Sequence, residues 1–376
     1  MRRFVLLSAL LFGAWSVWEL SAQRSAPPRS VVLPFGGAAL AVGDLNGDRK
    51  PDILTGRLDA VMVYLGDGRG GFNRAKGAPF AAGSNPNDLV LQDFNEDGRL
   101  DVAVANHEAS YVTVLMGDGS GGLAPPARIP TPSRPHPHGV AAEDFNGDGH
   151  PDLAVESWSE NTVLVFQNNG KAVFAAEPKR LAVGRTPYQK LRAGDLNNDG
   201  KGDLVTTNAA GSSVSIVCSH RSGTLRPAAE IAIAPSPFAV AIGDVNGDRY
   251  VDLAVAHRWG SVDPKLDALT VLIGSGDCAF APSPESPLKV GASPTDVAIG
   301  DVDGDGIGDI ATANMGSHDV TLFLGGRSGL RVARGSPIAV GKGPLAIVLE
   351  DLNGDNKADV VTGNGGSQDV SVVISP

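Results

Sequence analysis

The sequence predicts an all-β chain folded as a seven-bladed β-propeller of four-stranded antiparallel blades, and three observations carry that prediction. A nine-residue loop with oxygen-bearing side chains at positions 1, 3, 5 and 9 occurs seven times, beginning at Asp44, Asp93, Asp144, Asp195, Asp244, Asp301 and Asp351. Successive first aspartates are 49, 51, 51, 49, 57 and 50 residues apart, which leaves no room for a separate domain between repeats. Each ninth-position aspartate opens a short apolar run, such as Asp152-Leu-Ala-Val, with no helical periodicity, so the loop joins strand to strand.

Within the third repeat the strands read in order. Val140-Ala-Ala precedes the loop, Leu153-Ala-Val follows it, and Thr162-Val-Leu-Val-Phe166 is the β-branched third strand; a glycine-rich turn and a fourth strand complete the unit. Seven such sheets arranged radially protect most strand edges by repetition. Ahead of the repeats, residues 1–22 read as an export signal: Arg2 and Arg3, an apolar stretch from Phe4 to Trp18, and Leu-Ser-Ala22 before the cleavage point. An uncleaved anchor is the alternative, although the run is shorter than the ~20 apolar residues of a span. Residues 23–29 form a linker, and 30–376 the propeller. The last repeat stops at its third strand, Val370-Ser-Val-Val-Ile374, while Ser30-Val-Val-Leu33 has no blade of its own. That segment is therefore expected to supply the outermost strand of blade seven and close the ring.

The loops have the donor pattern of a calcium site, because Ca²⁺ gathers six to eight oxygens in flexible geometry. The expected ligands are Asp44, Asn46, Asp48 and Asp52; Asp93, Asn95, Asp97 and Asp101; Asp144, Asn146, Asp148 and Asp152; Asp195, Asn197, Asp199 and Asp203; Asp244, Asn246, Asp248 and Asp252; Asp301, Asp303, Asp305 and Asp309; and Asp351, Asn353, Asp355 and Asp359. Up to seven Ca²⁺ follow. A helical calcium hand is excluded, since position 12 carries Thr55, Val104, Val155, Thr206, Val255, Thr312 or Thr362 in place of its glutamate. Hydrogen-bonded Asx turns without metal are the alternative. Arg49, Arg249 and Asn356 replace glycine at position 6, so loops one and five are expected to be the weakest sites. The ligand positions hold 22 of the 42 acidic residues, so the net charge of −11 belongs to the loops. Basic residues are scattered without aromatic platforms, which argues against nucleic-acid binding.

With these loops, the turns Gly66-Asp-Gly-Arg-Gly-Gly-Phe72 and Gly117-Asp-Gly-Ser-Gly-Gly-Leu123, and the segments Phe35-Gly36 and Gly77-Ala-Pro79, the chain resembles the FG-GAP or VCBS-repeat family. Its propellers include the head domain of integrin α subunits. The resemblance covers everything from Ser30 onward and implies the propeller and its calcium; its members include adhesion proteins, lectins and enzyme-attached modules, so it does not choose among functions.

Blade topology puts the acid loops on one face and the loops between strands two and three, and between blades, on the other. His107, His138, Trp158, Tyr188, Phe238, Trp259 and His318 fall in the second set and are the candidate ligand-binding residues, with Glu108, His136, Glu160 and His257 nearby. His136-Pro-His138 is also a possible transition-metal fork. Repeat five carries an insertion, Arg258 to Leu266, on the same face. Cys218 and Cys278 fall in adjacent blades, as a disulfide or as two free thiols. The expected function is an exported, secreted or periplasmic, calcium-binding recognition or adhesion module for an extracellular carbohydrate or protein, without a membrane span after cleavage and monomeric. The alternative is a lyase-like polysaccharide enzyme drawing on Lys190, Tyr188, His138 and Asp88. No nucleophile elbow, zinc helix or phosphate loop supports catalysis.

Overall fold

The computed structural model describes residues 29–132, 136–219, 224–258 and 267–375. The predicted signal, the linker as far as residue 28, and residues 259–266 of the repeat-five insertion, Trp259 among them, lie outside them. The described residues contain no helix, so none is long and apolar enough to cross a membrane. They form seven antiparallel sheets.

The first strand of each repeat lies innermost: Ala39–Gly43, Pro86–Gln92, Val140–Glu143, Pro187–Gly194, Pro237–Gly243, Pro294–Gly300 and Pro344–Glu350. Each touches the next and the last touches the first, so the ring is closed. The predicted closure is present. Arg29–Pro34 pairs antiparallel with Asp369–Ile374 as the outer strand of blade seven. In blades one, five and six the outer edge is two short pieces, such as Phe72–Arg74 and Phe80–Ala81, which pair with opposite ends of the third strand. A cis peptide precedes Pro79, Pro287 and Pro337 in the breaks. Proline has no amide hydrogen to give, and an outer strand tolerates that loss.

Second strands such as Asp101–Asn106 and Asp252–His257 are buried along their whole length. Neighbouring blades cover both of their faces, which is why they read as continuous Val, Leu and Ala rather than as alternation. The core accordingly forms apolar layers between blades; one, for example, joins Phe94 and Val112 of blade two to Leu153 and Phe166 of blade three. Four second strands end in a buried asparagine, Asn106, Asn208, Asn314 or Asn364, whose Nδ2 donates to hydroxyls of the third strand. His257 occupies that place in blade five, with its ring between the Pro235 carbonyl at 3.0 Å and Thr270 Oγ1 at 2.8 Å. It is a fully buried core histidine, and burial holds its pKa low.

Cys218 and Cys278 are joined as a disulfide between blades four and five, which settles the alternative left open by the sequence.

Candidate functional site

The acid loops share one hydrogen-bonding plan, from which loop three departs in that Asp152 Oδ1 accepts from Asn168 N at 2.8 Å while its Oδ2 has no partner. At position 1, Asp44 Oδ1 accepts from the amides of Gly47 at 2.8 Å and Asp48 at 3.1 Å, and Oδ2 accepts from Arg49 at 2.7 Å. At position 9, Asp52 is fully buried; Oδ2 accepts from Leu45 N and Oδ1 from Gly66 N, which ties the loop to the turn after the third strand. Asp101, Asp203, Asp252, Asp309 and Asp359 repeat both bonds. Burial pushes Asp152, Asp252, Asp309 and Asp359 up to about 6, and the aspartates at positions 1 and 3 or 5 of the same loop add to the rise. Such a carboxylate cluster is one that a cation would relieve. In loop six, oxygens of Asp301, Asp303 and Asp309 lie within 4.8 Å of one another, so this donor set fits a hard cation. Positive φ recurs at position 6, at 63° for Arg49, 74° for Arg249 and 65° for Asn356. Position 4 shares it, with Glu96 at 59° and Asn198 at 57°, a requirement the sequence reading did not identify.

The opposite face is built differently. The inner strands begin there and run toward the acid loops, so residues at their starts crowd the channel mouth. An arc of rings crosses blades two to five. Trp158 meets His136 edge-on at 5.9 Å between centroids, His136 lies 4.9 Å from His107, and His107 lies 4.5 Å from His138. His138 approaches Tyr188 at 4.2 Å, Tyr188 meets Phe238 at 5.5 Å, and the Arg258 guanidinium lies 4.9 Å over Phe238. Trp158 is 41% exposed. Five of the seven candidate ligand residues thus converge. His318 stands apart, its Nδ1 accepting from Gly343 N at 3.1 Å between blades six and seven, and Trp259 is outside the described residues. Blades six and seven carry Thr295 and Leu345 after the first proline of their inner strands, where blades four and five carry Tyr188 and Phe238.

His138 is 4% exposed, and burial together with His107 and His136 pushes its pKa down to about 3, so the ring is neutral. Its Nδ1, like that of His136, is buried without a hydrogen-bond partner. Orphaned polar atoms of this kind cost about 1–3 kcal/mol each.

Beneath the arc the inner strands line a channel cavity of about 400 Å³. Lys190 Nζ lies 2.8 Å from Asp88 Oδ1 and 3.5 Å from Asp296 Oδ2, while Arg192 approaches the same carboxylates at 3.4 and 3.8 Å. Lys190 and Asp88 are therefore a buried channel pair rather than loop residues. Glu156 lies close by, with Oε1 accepting from Thr206 Oγ1 at 2.5 Å. Burial, reinforced by Asp88, pushes it up to about 7. Irregular register positions these groups. Most inner strands carry one extra residue after their first proline, whereas blade four shifts between Pro187 and Leu191, which displaces Tyr188, Gln189 and Lys190. The sequence reading missed Asp296, Arg192, Glu156 and Gln189. Aligning the repeats on those prolines would have found Asp296, which stands two residues after Pro294 as Asp88 does after Pro86.

Among solved structures, the fold is similar to a lectin of Agrocybe aegerita described as recognising non-reducing terminal N-acetylglucosamine, at 18% identity over 80% of each chain with a TM-score of 0.55. It is also similar to virginiamycin B lyase from Staphylococcus aureus, at 14% identity over 92% of this chain and 99% of that one, TM-score 0.57. A putative 6-phosphogluconolactonase from Bacteroides fragilis matches at 16% identity over 82% of this chain and 85% of that one, TM-score 0.60. At such identities the likeness concerns the fold alone. No curated protein matches this chain in sequence. The FG-GAP-like repeat pattern matches residues 44–104, 93–155, 195–255, 244–312 and 302–362, most of the chain, and with the seven blades in place the protein belongs to the FG-GAP-like repeat family.

Proposed function

We propose that this chain is an exported, calcium-loaded recognition module that binds a carbohydrate ligand on the ring-lined face. The observation that carries this reading is the arc from Trp158 through His138 and Tyr188 to Phe238, on the side away from the acid loops. Aromatic rings offer large, rigid, apolar faces with polar edges, which suits the stacking of sugar rings. The arc covers only part of the rim, and that asymmetry gives an otherwise repetitive ring one distinct sector. Binding side chains held by a rigid scaffold are what such loops commonly carry. A protein ligand is the competing occupant of the same face.

Calcium in this reading is structural. The Asp and Asn oxygens at positions 1, 3, 5 and 9 would hold the ion, and the ion would supply the positive charge that offsets their clustered carboxylates. Melting with excess Ca²⁺ and then with chelator, alongside metal counting, is the first check. A count near seven with a steep loss of melting temperature on chelation is expected, because an ion bound only to the native state stabilises it by mass action. A count near zero with an unchanged melt sinks the calcium half of the reading.

A glycan array probed with the chain and with its Trp158→Ala and Tyr188→Ala variants tests the ligand half. The parent is expected to retain a defined set of glycans and the variants to lose them by roughly tenfold or more, the loss of ~1.4 kcal/mol of stacking. A parent that retains none, or variants that bind as the parent does, removes the carbohydrate reading. The lyase-like alternative draws on Tyr188, Lys190 and His138. Lys190 is 2% exposed and engaged by two carboxylates, so it is poorly placed as a general base. Depolymerisation of a polysaccharide panel would reverse that order.

A further inference from the structure

His107, His136 and His138 come from two blades and meet at one point. His107 follows the second strand of blade two directly, and the other two flank Pro137 ahead of the inner strand of blade three. One nitrogen from each ring belongs to a group whose members all lie within 4.8 Å of one another. Packing alone explains this poorly. Three imidazoles gathered for apolar contact would keep their nitrogens on water or on hydrogen-bond partners, yet Nδ1 of His136 and Nδ1 of His138 have none and are shut off from solvent.

We propose that these three histidines form a binding site for a divalent transition-metal ion of the zinc class, separate from the acid loops. Neutral imidazole suits zinc, copper and nickel, whereas calcium takes oxygen donors, so the two kinds of site sort by ligand chemistry. A zinc–nitrogen bond of ~2.0–2.1 Å sets tetrahedral ligand nitrogens roughly 3.4 Å apart. The nitrogens, now within 4.8 Å of one another, would draw together to that spacing on binding. Metal-bound imidazoles also hold their other nitrogen on an acceptor, which fixes the ring. The Gln189 side chain hydrogen-bonds the His138 ring, whose Nδ1 has no partner, and Glu108 Oε1 and Asn85 Nδ2 lie 3.3 and 3.4 Å from His107 Nδ1. The wide bulge of blade four, which displaces Gln189, thereby gains a local purpose. Three protein ligands leave a fourth position for water or for a donor atom of a bound molecule. Because this position adjoins Tyr188 and Trp158, an ion there would stand among the rings of the recognition face.

The test uses the untagged full chain in excess Ca²⁺, so that the acid loops are saturated, titrated with Co²⁺ as a visible probe and with Zn²⁺ by calorimetry. One ion per chain beyond the calcium complement is expected, with the intense visible absorption of four-coordinate cobalt. His107→Ala and His136→Ala, both at partly exposed positions, are each expected to weaken binding by more than the roughly 10–100-fold that an outer partner such as Gln189 carries, and Gln189→Ala to fall within that range. His138 lies in the core, so its alanine variant is interpreted only with a melt showing that it folds; the other two decide the matter without it. Absence of the cobalt spectrum overturns the proposal. So does a spectrum that persists unchanged in the His107→Ala and His136→Ala double variant. No glycan enters the measurement, so its failure leaves the recognition reading standing, and the reverse also holds.

Discussion

Arginine at the sixth position of loops one and five holds a conformation that glycine holds in four of the other five. Arg49 and Arg249 have φ of 63° and 74°, against 88° at Gly149. A side chain in this left-handed region costs roughly 1–2 kcal/mol, part of which glycine returns through the greater freedom of its unfolded chain. Arg249→Gly is therefore expected to stabilise the protein by about 1 kcal/mol, and Gly149→Arg to destabilise it similarly. Shifts of the urea midpoint at constant slope would measure both, and a loss of stability in Arg249→Gly would show that the guanidinium does more than strain the loop. Glu156 allows a second residue-scale prediction. Its pKa, raised from 4.5 to about 7, means that the native state holds the proton more tightly than the unfolded chain does. The sign follows. Its contribution is fully present below pH 4.5 and is lost as pH rises through 7, at most about 3 kcal/mol in all. Glu156→Gln is expected to flatten the stability profile between pH 4.5 and about 7; an unchanged slope would assign the titration elsewhere.

At the scale of the element, legibility depended on whether a strand's role leaves a mark in residue type. Acid loops and β-branched third strands do, so the blades could be read directly. Second strands do not alternate, because both faces are covered, yet Asp152 and its equivalents located their starts. His257 shows where the reading failed: as a residue type it pointed to the ligand face, but its repeat position is that of the buried asparagines, which only the paired third strand reveals. Inner strands hid more. A register shift moves Tyr188, Gln189 and Lys190 without altering the local pattern, so the pairing of Lys190 with both Asp88 and Asp296, 102 and 106 residues away, could not be foreseen. Breaking that buried group should be severe. Lys190→Met leaves two buried carboxylates sharing only the more distant Arg192, and removing one partner of a buried ion pair typically costs about 3–5 kcal/mol. Thermal and urea unfolding of this variant beside Lys190→Arg would measure it. A Met variant as stable as the parent would mean that water already screens the channel and that the pairs contribute little.

The whole molecule depends on a joint between its two ends. The fold class and closure were legible because a missing fourth strand at the C-terminus matched a spare strand ahead of the first loop; the recognition face was legible only as a set of loops, since which rings meet is decided by contacts between blades. Arg29–Pro34 pairs residue for residue with Asp369–Ile374, and Leu33 is buried beneath it. The joint reaches past blade seven, because the Tyr64 hydroxyl of blade one donates to the Pro34 carbonyl and Gly36 N donates to the Gln368 carbonyl at 2.9 Å. Deleting residues 23–35 would therefore remove a strand, expose the edge of Asp369–Ile374 and loosen the contact between the first and last blades. Burial of Leu33 alone accounts for roughly 1.5–3 kcal/mol by the usual value for a buried aliphatic side chain, and half-buried Val31 adds to it before any backbone bond is counted. The deletion is expected to lower the melting temperature substantially, and an open edge favours pairing between chains, so association on size-exclusion chromatography should accompany it. Adding a peptide of residues 29–36 in trans should restore part of the melt if the missing strand is the cause. An unchanged melting temperature would mean that the inner-strand contacts between blades one and seven close the ring unaided, and the terminal strand would then be only a cover on the last blade.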